Sequence, residues 1–356
     1  MTAGAPPYRV VQWATGNIGT RALRTVVEHP DLRLAGVYVY ADDKAGRDAG
    51  ELCGLPPTGV LATRDIDDIL AVGADCVLYM PSACDVDEVC RLLGSGANIV
   101  TTRGEFHHPD SLEPDVRARV EAACAVGGSS IHSTGSSPGF ITEALPIVLA
   151  SIQRRLDHLA IDEFADLTTR DSPDLLFRIM GFGRPPGAFG EARLSHARTS
   201  FGPSLRLIAD AFGMPLDALE AGGAFATARR PVEIAAGTIE AGTVAAQRTT
   251  VSGLRDGREV MRFTATWYCS TDVEPAWDLR ETGWRVVVDG DAPLDDGIRF
   301  PVAPEDWAAT SPGLTAHRAV NAVPVVCEAP PGIRTTVDLP QVIAWLGRAG
   351  KDRAGA

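Results

Sequence analysis

The chain is poor in several features that would assign it quickly. Its start, Met1-Thr2-Ala3-Gly4-Ala5-Pro6-Pro7, lacks a basic segment followed by an apolar run, so no secretory signal is expected there. No window approaches the roughly 18 uninterrupted apolar residues of a spanning helix. The seven cysteines (Cys53, Cys76, Cys84, Cys90, Cys124, Cys269 and Cys327) include no Cys-x-x-Cys pair. That argues against a zinc ribbon or a thioredoxin-type dithiol, and the odd number suits reduced thiols in a cytoplasmic protein. Positive charge is short, with 33 Lys+Arg against 46 Asp+Glu and a net charge of −13. Such a surface repels phosphate backbones and anionic lipid heads, so neither nucleic acid nor a membrane is expected as the main partner. Internal repeats and low-complexity segments are missing too. What remains is ordinary globular composition, 356 residues with 45% apolar and 22% charged, at a length that suggests two domains.

Strand and helix patterns alternate at short spacing in the first third. Residues 8–13 read as a buried strand, and a glycine-bearing turn, Ala14 to Gly19, leads into a helix over 20–28. Further strands are expected at 32–40, 75–80, 97–102 and 129–133, with helices at 65–71, 85–95 and 113–126 between them. This is the pattern of a parallel, doubly wound sheet. After about residue 155 the rhythm changes. Strands are expected at 159–164, 225–235, 243–253, 259–270 and 284–289, with a hairpin turn at 254–258 and a helix at 204–211. Together they describe a largely antiparallel sheet with one face on helices. Residues 181–190 read as a Gly/Pro-rich loop, and helices return at 314–326 and 339–348.

Ala14-x-Gly16-x-x-Gly19 is the dinucleotide fingerprint with alanine in its first position. Small residues let the backbone turn tightly and approach a pyrophosphate, and the N–H groups of the following helix stabilise its charge. Its place between the first strand and the first helix supports that function over a merely structural turn. Thr15, Asn17 and Ile18 complete the expected phosphate loop. The second strand ends at Tyr40-Ala41, where an acidic residue would accept the ribose hydroxyls of NAD. Asp42 could serve NAD, whereas Lys44 or Arg47 could pair with the 2′-phosphate of NADP; a solvated loop of mixed charge is the alternative. NADP is favoured, with NAD possible. The ends of the other strands, at Pro81, Thr102 and the Gly135-Ser136 junction, are expected to face the cofactor.

Three further segments carry a family likeness. They are Val100-Thr101-Thr102-Arg103-Gly104-Glu105, Ser133-Thr134-Gly135-Ser136-Ser137-Pro138-Gly139-Phe140, and Ala319-Val320-Asn321-Ala322-Val323-Pro324 with Ala329-Pro330-Pro331-Gly332. With the glycine turn they resemble the dihydrodipicolinate reductase-like proteins, and more closely the 2,4-diaminopentanoate dehydrogenases and native amine dehydrogenases. The resemblance implies a Rossmann domain, here 1–135 and 311–356, around an α+β substrate domain, 136–310, whose open sheet forms a homodimer interface. It makes the cleft at the C-terminal ends of the parallel strands the active site.

Dihydrodipicolinate reductases carry Glu-Leu-His-His-x-x-Lys-x-Asp-Ala-Pro near the start of the second domain, whose cations hold a dicarboxylate. This chain reads Glu163-Phe164-Ala165-Asp166-Leu167-Thr168-Thr169-Arg170-Asp171-Ser172-Pro173. Ala165, Asp166 and Thr169 replace both histidines and the lysine, which removes the dicarboxylate's partners. The resemblance instead places Glu105 as the acid/base of reversible reductive amination, joining ammonia to a small aldehyde or ketone. A desolvated carboxylate there can take a proton from the nitrogen and offset an iminium charge; a solvated loop glutamate is the other reading. Gly135, Ser136, Pro138 and Gly139 are expected beneath the nicotinamide, with Phe140 as an apolar wall of a substrate pocket that includes Asp166 and Thr168. Asn321 could hold the nicotinamide carboxamide or cap a helix. His107-His108 lacks the i, i+4 spacing of helical zinc sites; the pair is expected at the surface or the pocket rim, and no metal is assigned. An NAD(P)H-dependent C=C or C=O reductase, or a non-catalytic dinucleotide-binding regulator, stand as alternatives.

Overall fold

The computed structural model of the chain describes residues 7–345, residue 188 excepted. By compactness it divides into two units. The first comprises residues 1–103, 113–135 and 313–356, and the second residues 104–112 and 136–312.

The first unit is a seven-stranded parallel sheet. It contains β1 (Tyr8–Trp13), β2 (Leu32–Tyr38), β3 (Ala62–Thr63), β4 (Cys76–Tyr79), β5 (Asn98–Thr101), β6 (Ser130–Ser133) and, from the end of the chain, β16 (Gly332–Arg334). Their order is β16-β6-β5-β4-β1-β2-β3, the doubly wound arrangement expected. β3 and β16 are the two strands that periodicity does not reveal, being only two and three residues long. The connecting helices are α1 (Asn17–Glu28), α2 (Ala49–Cys53), α3 (Ile66–Ala71), α4 (Val86–Gly94) and α5 (Pro114–Gly127). Asp85 caps α4 by accepting from the N–H groups of Asp87 and Glu88, which fixes where that helix begins.

The second unit is built on a seven-stranded mixed sheet. Its strands are β7 (Leu156–Asp166), β8 (Ala218–Ala228), the small hairpin β9 (Val232–Ile234) and β10 (Gly237–Ile239), β11 (Val244–Arg255), β12 (Arg258–Tyr268), β13 (Val273–Glu274), β14 (Gly283–Gly290) and β15 (Leu294–Arg299). The sheet order is β13-β8-β11-β12-β7-β14-β15, antiparallel throughout except where β12 runs parallel to β7. The β11–β12 hairpin turns at Asp256-Gly257, both with positive φ (51° and 71°), the conformation this dipeptide favours. α6 (Leu145–Ala150) precedes β7, and α7 (Glu191–Ala211) covers one sheet face, with Phe201 stacked on Phe263 of β12 at 4.0 Å.

Several elements differ from their sequence expectation, among them the helix expected at 314–326, which begins at Pro304. α7 begins at Glu191 rather than at 204, because it accommodates Pro203 within it, where a proline ordinarily signals a helix start. β8 starts at Ala218 and ends at Ala228, before Arg229-Arg230-Pro231. Residues 339–345 form no helix, and 346–348 lie outside the described residues. Leu339 and Val342 instead pack on the first unit's core, and the Arg318 guanidinium donates to the Val342 carbonyl at 3.3 Å. The final helix, α8 (Pro304–Cys327), contributes Ala316, Ala319, Val320, Val323 and Val326 to the core beside β1 and β4.

Candidate active site

The glycine turn is built from its backbone outward. Ala14 follows β1 with φ +70°, a strained value for a residue with a Cβ. The fully buried Gln12 amide holds it there, donating to the Ala14 carbonyl at 2.9 Å. Gly16 is the N-cap of α1, without a side-chain cap and without an acidic residue in the first turn. The first N–H groups of Asn17, Ile18 and Gly19 therefore remain available, as an anion site requires. A Cβ added to Gly16 meets nothing within 4 Å, whereas one added to Gly19 would lie 2.1 Å from the Ala14 carbonyl oxygen. One glycine thus keeps open the space a phosphate would fill, and the other lets helix approach strand. These residues fit a dinucleotide.

The two glycines predict different failures. Gly19→Ala is expected to destabilise the fold by about 1–3 kcal/mol through overpacking. Gly16→Ala should melt like the parent but lose the rise in melting temperature that a bound dinucleotide confers. Thermal melts with and without NADPH check both.

The charges after β2 sort by partner. Asp42 pairs with Arg64, and Arg47 sits 3.6 Å from Glu51. Lys44 instead donates to the Thr15 carbonyl at 2.9 Å and lies 3.3 Å from its hydroxyl, so its charge is laid against the phosphate turn. Tyr40 is pinned, accepting from the Trp13 indole at 2.9 Å and donating to Glu88 at 3.0 Å. Tyr79 donates to the same Glu88 oxygen at 2.8 Å. Burial pushes both phenols well above their usual range, so they stay neutral and keep donating. Arg64 and Glu88 are the residues here that sequence reading missed, because each matters only through a partner distant along the chain. Pro81 is buried just beyond β4, Thr102 follows β5 directly, and Gly135 is buried beyond β6. Asn321 lies well inside α8, so the helix-cap reading falls.

Within the second unit, Glu105 occupies a single helical turn, Gly104–Phe106, that follows β5 in the chain. One of its carboxylate oxygens is withdrawn from solvent. The residues after it anchor the turn. Phe106 is 1% exposed and His107 1%. His107 Nδ1 lies 2.5 Å from Oε1 of the fully buried Glu143. His108 Nε2 is 2.9 Å from Asp210 on α7, and its Nδ1 is 2.7 Å from the Ser111 hydroxyl. The expected surface dihistidine is therefore corrected. The rings diverge as neighbours on a turn must, His107 towards the buried Glu143 and His108 towards the exposed carboxylate of Asp210.

Ser136 and Ser137 lead into Pro138 and Gly139, whose φ of +119° is a conformation suited to glycine. The Gly139 N–H donates to the Thr142 hydroxyl at 2.9 Å, and that hydroxyl is 2.6 Å from the buried Ser204 on α7. Phe140 packs 6.1 Å from the Trp284 ring. The structure does not bring Phe140 together with Asp166. Alternation along β7 places Glu163, opposite Trp284, on the α7 face and Asp166 on the other. The Asp166 carboxylate accepts the Thr168 N–H at 2.9 Å, closing the strand end on itself. Among the described residues no group of three or more His, Cys, Asp or Glu could hold a metal ion, and no helix is long and apolar enough to cross a membrane.

Residues 140–354 match the family model for the 2,4-diaminopentanoate dehydrogenase C-terminal domain, and residues 10–99 match that for the dihydrodipicolinate reductase N-terminus. An amine dehydrogenase of Streptomyces virginiae is 31% identical, with 97% of this chain and 99% of that protein aligned. The 2,4-diaminopentanoate dehydrogenase of Acetoanaerobium sticklandii is 23% identical over 79% of this chain and 78% of its own length. The solved amine dehydrogenase of Mycobacterium smegmatis shares the fold, with a TM-score of 0.71 at 18% identity, covering 95% of this chain and 97% of that one.

Proposed function

Because the chain belongs to the family of 2,4-diaminopentanoate and amine dehydrogenases, we propose that it reversibly aminates a small aldehyde or ketone with ammonia, using NADP and Glu105. The chain is an oxidoreductase of the amine dehydrogenase type, built on a dinucleotide-binding fold. The observation that carries the finer reading is Glu105 itself. It is a carboxylate directly beyond a parallel strand, half withdrawn from water, on a turn fastened by Phe106 and His107.

When bound, the cofactor supplies or accepts a hydride at its nicotinamide ring. Gly16 to Gly19 would hold its pyrophosphate with the first N–H groups of α1, and Lys44, which donates to Thr15, would add positive charge beside that turn. This lysine, laid against the phosphate turn, supports NADP over NAD. Glu105 takes a proton from ammonium so that neutral ammonia can attack the carbonyl carbon. It returns the proton to the hydroxyl of the carbinolamine, which leaves as water, and then offsets the iminium charge that accepts hydride. In the oxidative direction the same carboxylate activates the water that releases ammonia. A homodimer through the uncovered sheet face is part of this reading. That face holds a cleft of about 470 Å³ in which Asp162 is ringed by Arg248, Arg262, Arg280 and Arg285.

The test is the fall in NADPH absorbance with small aldehydes and ketones, in the presence and absence of ammonium chloride. Turnover is expected only with ammonium, and with at least about tenfold higher kcat/KM for NADPH than for NADH. Carbonyl reduction that ignores ammonium would replace this reading with a simple C=O reductase.

A further inference from the structure

All seven cysteines stand as thiols, and two of them meet inside the first unit. Cys76 opens β4 and is fully buried. Cys327 ends α8 and is only partly buried. The Cys327 thiol donates to the Asp75 carbonyl at 3.6 Å, one peptide bond from Cys76, and the two thiols are hydrogen-bonded to one another. They come from separate stretches of that unit, Cys76 from residues 1–103 and Cys327 from residues 313–356. Asp75 and Cys327 are 252 positions apart in the chain.

The contact is held from both sides. Just before Cys327, the Val326 carbonyl accepts the Ser130 hydroxyl of β6 at 2.7 Å. Just after it, the Glu328 carboxylate accepts the Tyr8 hydroxyl of β1 at 2.9 Å. β4 lies between those strands in the order β6-β5-β4-β1, so tying the neighbours of Cys327 to either side keeps its sulfur over Cys76. Cys327 packs against the same apolar cluster that contains Cys76. A disulfide needs two sulfurs already within reach, because backbone that must move to close the bond stores strain. Burial, and then the neighbouring Cys327 sulfur, push the Cys76 thiol well above its usual range. It therefore stays protonated and hidden from any oxidant in solution, and Cys327 is the member of the pair that an oxidant meets first.

We propose that Cys76 and Cys327 form a reversible disulfide when the protein meets a peroxide, and that this bond fastens the returning end of the chain to the parallel sheet. The Cys327 thiol gives up its proton and its sulfur attacks one peroxide oxygen. The O–O bond breaks, Cys327 becomes a sulfenic acid, and the other oxygen leaves as water. The Cys76 sulfur then attacks the Cys327 sulfur, the S–O bond breaks, and a second water carries away the Cys76 proton. The two thiols lose two electrons and the peroxide gains them. A cross-link removes more freedom from the unfolded chain the longer the loop it closes, and this loop spans most of the protein. β4 runs parallel to β1 with Cys76 beside Val10, so the bond lies at the sheet end opposite the glycine turn. It acts on stability and leaves the dinucleotide site untouched.

Two measurements test it, and the first needs no variant. Reduced protein is treated with hydrogen peroxide, the remaining thiols are blocked with N-ethylmaleimide, and the chain is digested with chymotrypsin, which cuts at Tyr79 and so parts Cys76 from Cys84 and Cys90. Mass spectrometry should find the peptides of Cys76 and Cys327 joined, lighter by two hydrogens than the separate pair, and parted again by dithiothreitol. Recovery of both with maleimide attached overturns the proposal. So does a bond between any other two cysteines in its place, or Cys327 recovered as a sulfinic acid with Cys76 unlinked. In the second measurement the oxidised parent should melt roughly 3–10 °C above the same preparation after dithiothreitol, while Cys327→Ser should melt at one temperature under both treatments. No rise in the parent, or an equal rise in the variant, overturns the fastening role.

Discussion

Replacing Glu105 by Gln is expected to lower kcat by about 10²–10⁴-fold, the range over which one positioned acid/base acts. NADPH affinity should stay within about threefold of the parent, because the residues proposed to hold the dinucleotide belong to the glycine turn and to the loop after β2. The comparison that matters is kcat with saturating ammonium against the dissociation constant for NADPH from fluorescence. The amide keeps the size of the carboxylate and can accept a hydrogen bond, but it cannot take a proton from ammonium or neutralise an iminium. Retained turnover in the Gln variant would remove Glu105 from the chemistry. Loss of cofactor binding in step with turnover would give it a structural role instead.

The second large effect concerns stability. His107 and Glu143 are 1% and 0% exposed and lie 2.5 Å apart. Removing either strips the other of a buried polar neighbour, a change that typically costs about 3–5 kcal/mol. For a unit of this size that corresponds to a melting temperature lower by roughly 6–20 °C. His107→Ala and Glu143→Ala should each show it by calorimetry. The double variant should lose less than the sum of the two, since both variants remove the same contact. Strict additivity would show that the two side chains do not interact. The neighbouring His108–Asp210 contact serves as a contrast, because Asp210 is 44% exposed and water can replace a lost partner.

How much of this could be read from the sequence depends on how local each feature is. The glycine turn was legible because its strand, turn and helix are contiguous, and each small residue answers a backbone need within a few positions. The alternation of the first unit and the antiparallel character of the second were legible from side-chain period. β3 and β16 were not, being too short to show a period. Glu105 could be picked out by its place after a strand, yet the residues that fasten its turn could not. His108 finds Asp210 across 102 residues, and Glu163 finds the Trp267 and Trp284 indoles across 104 and 121. The His107-His108 pair was misjudged for the same reason, since nothing local announces that both rings point inward. Asp166 and Thr168 were placed in the pocket by analogy with a motif, whereas strand parity sends Asp166 to the opposite sheet face from Phe140.

The segment 104–112 is encoded within the nucleotide-binding stretch but belongs to the second unit. This has a consequence for inheritance and for recombination between relatives. A crossover at the apparent domain boundary near residue 136 would transmit Glu105 with one parent, and Glu143 and Asp210 with the other. Glu105 and the scaffold that fastens its turn must therefore descend together, although the chain writes them apart. Chimeras that exchange substrate halves have a natural second joint at residues 103 and 113, and need the short insert moved along with the half it serves.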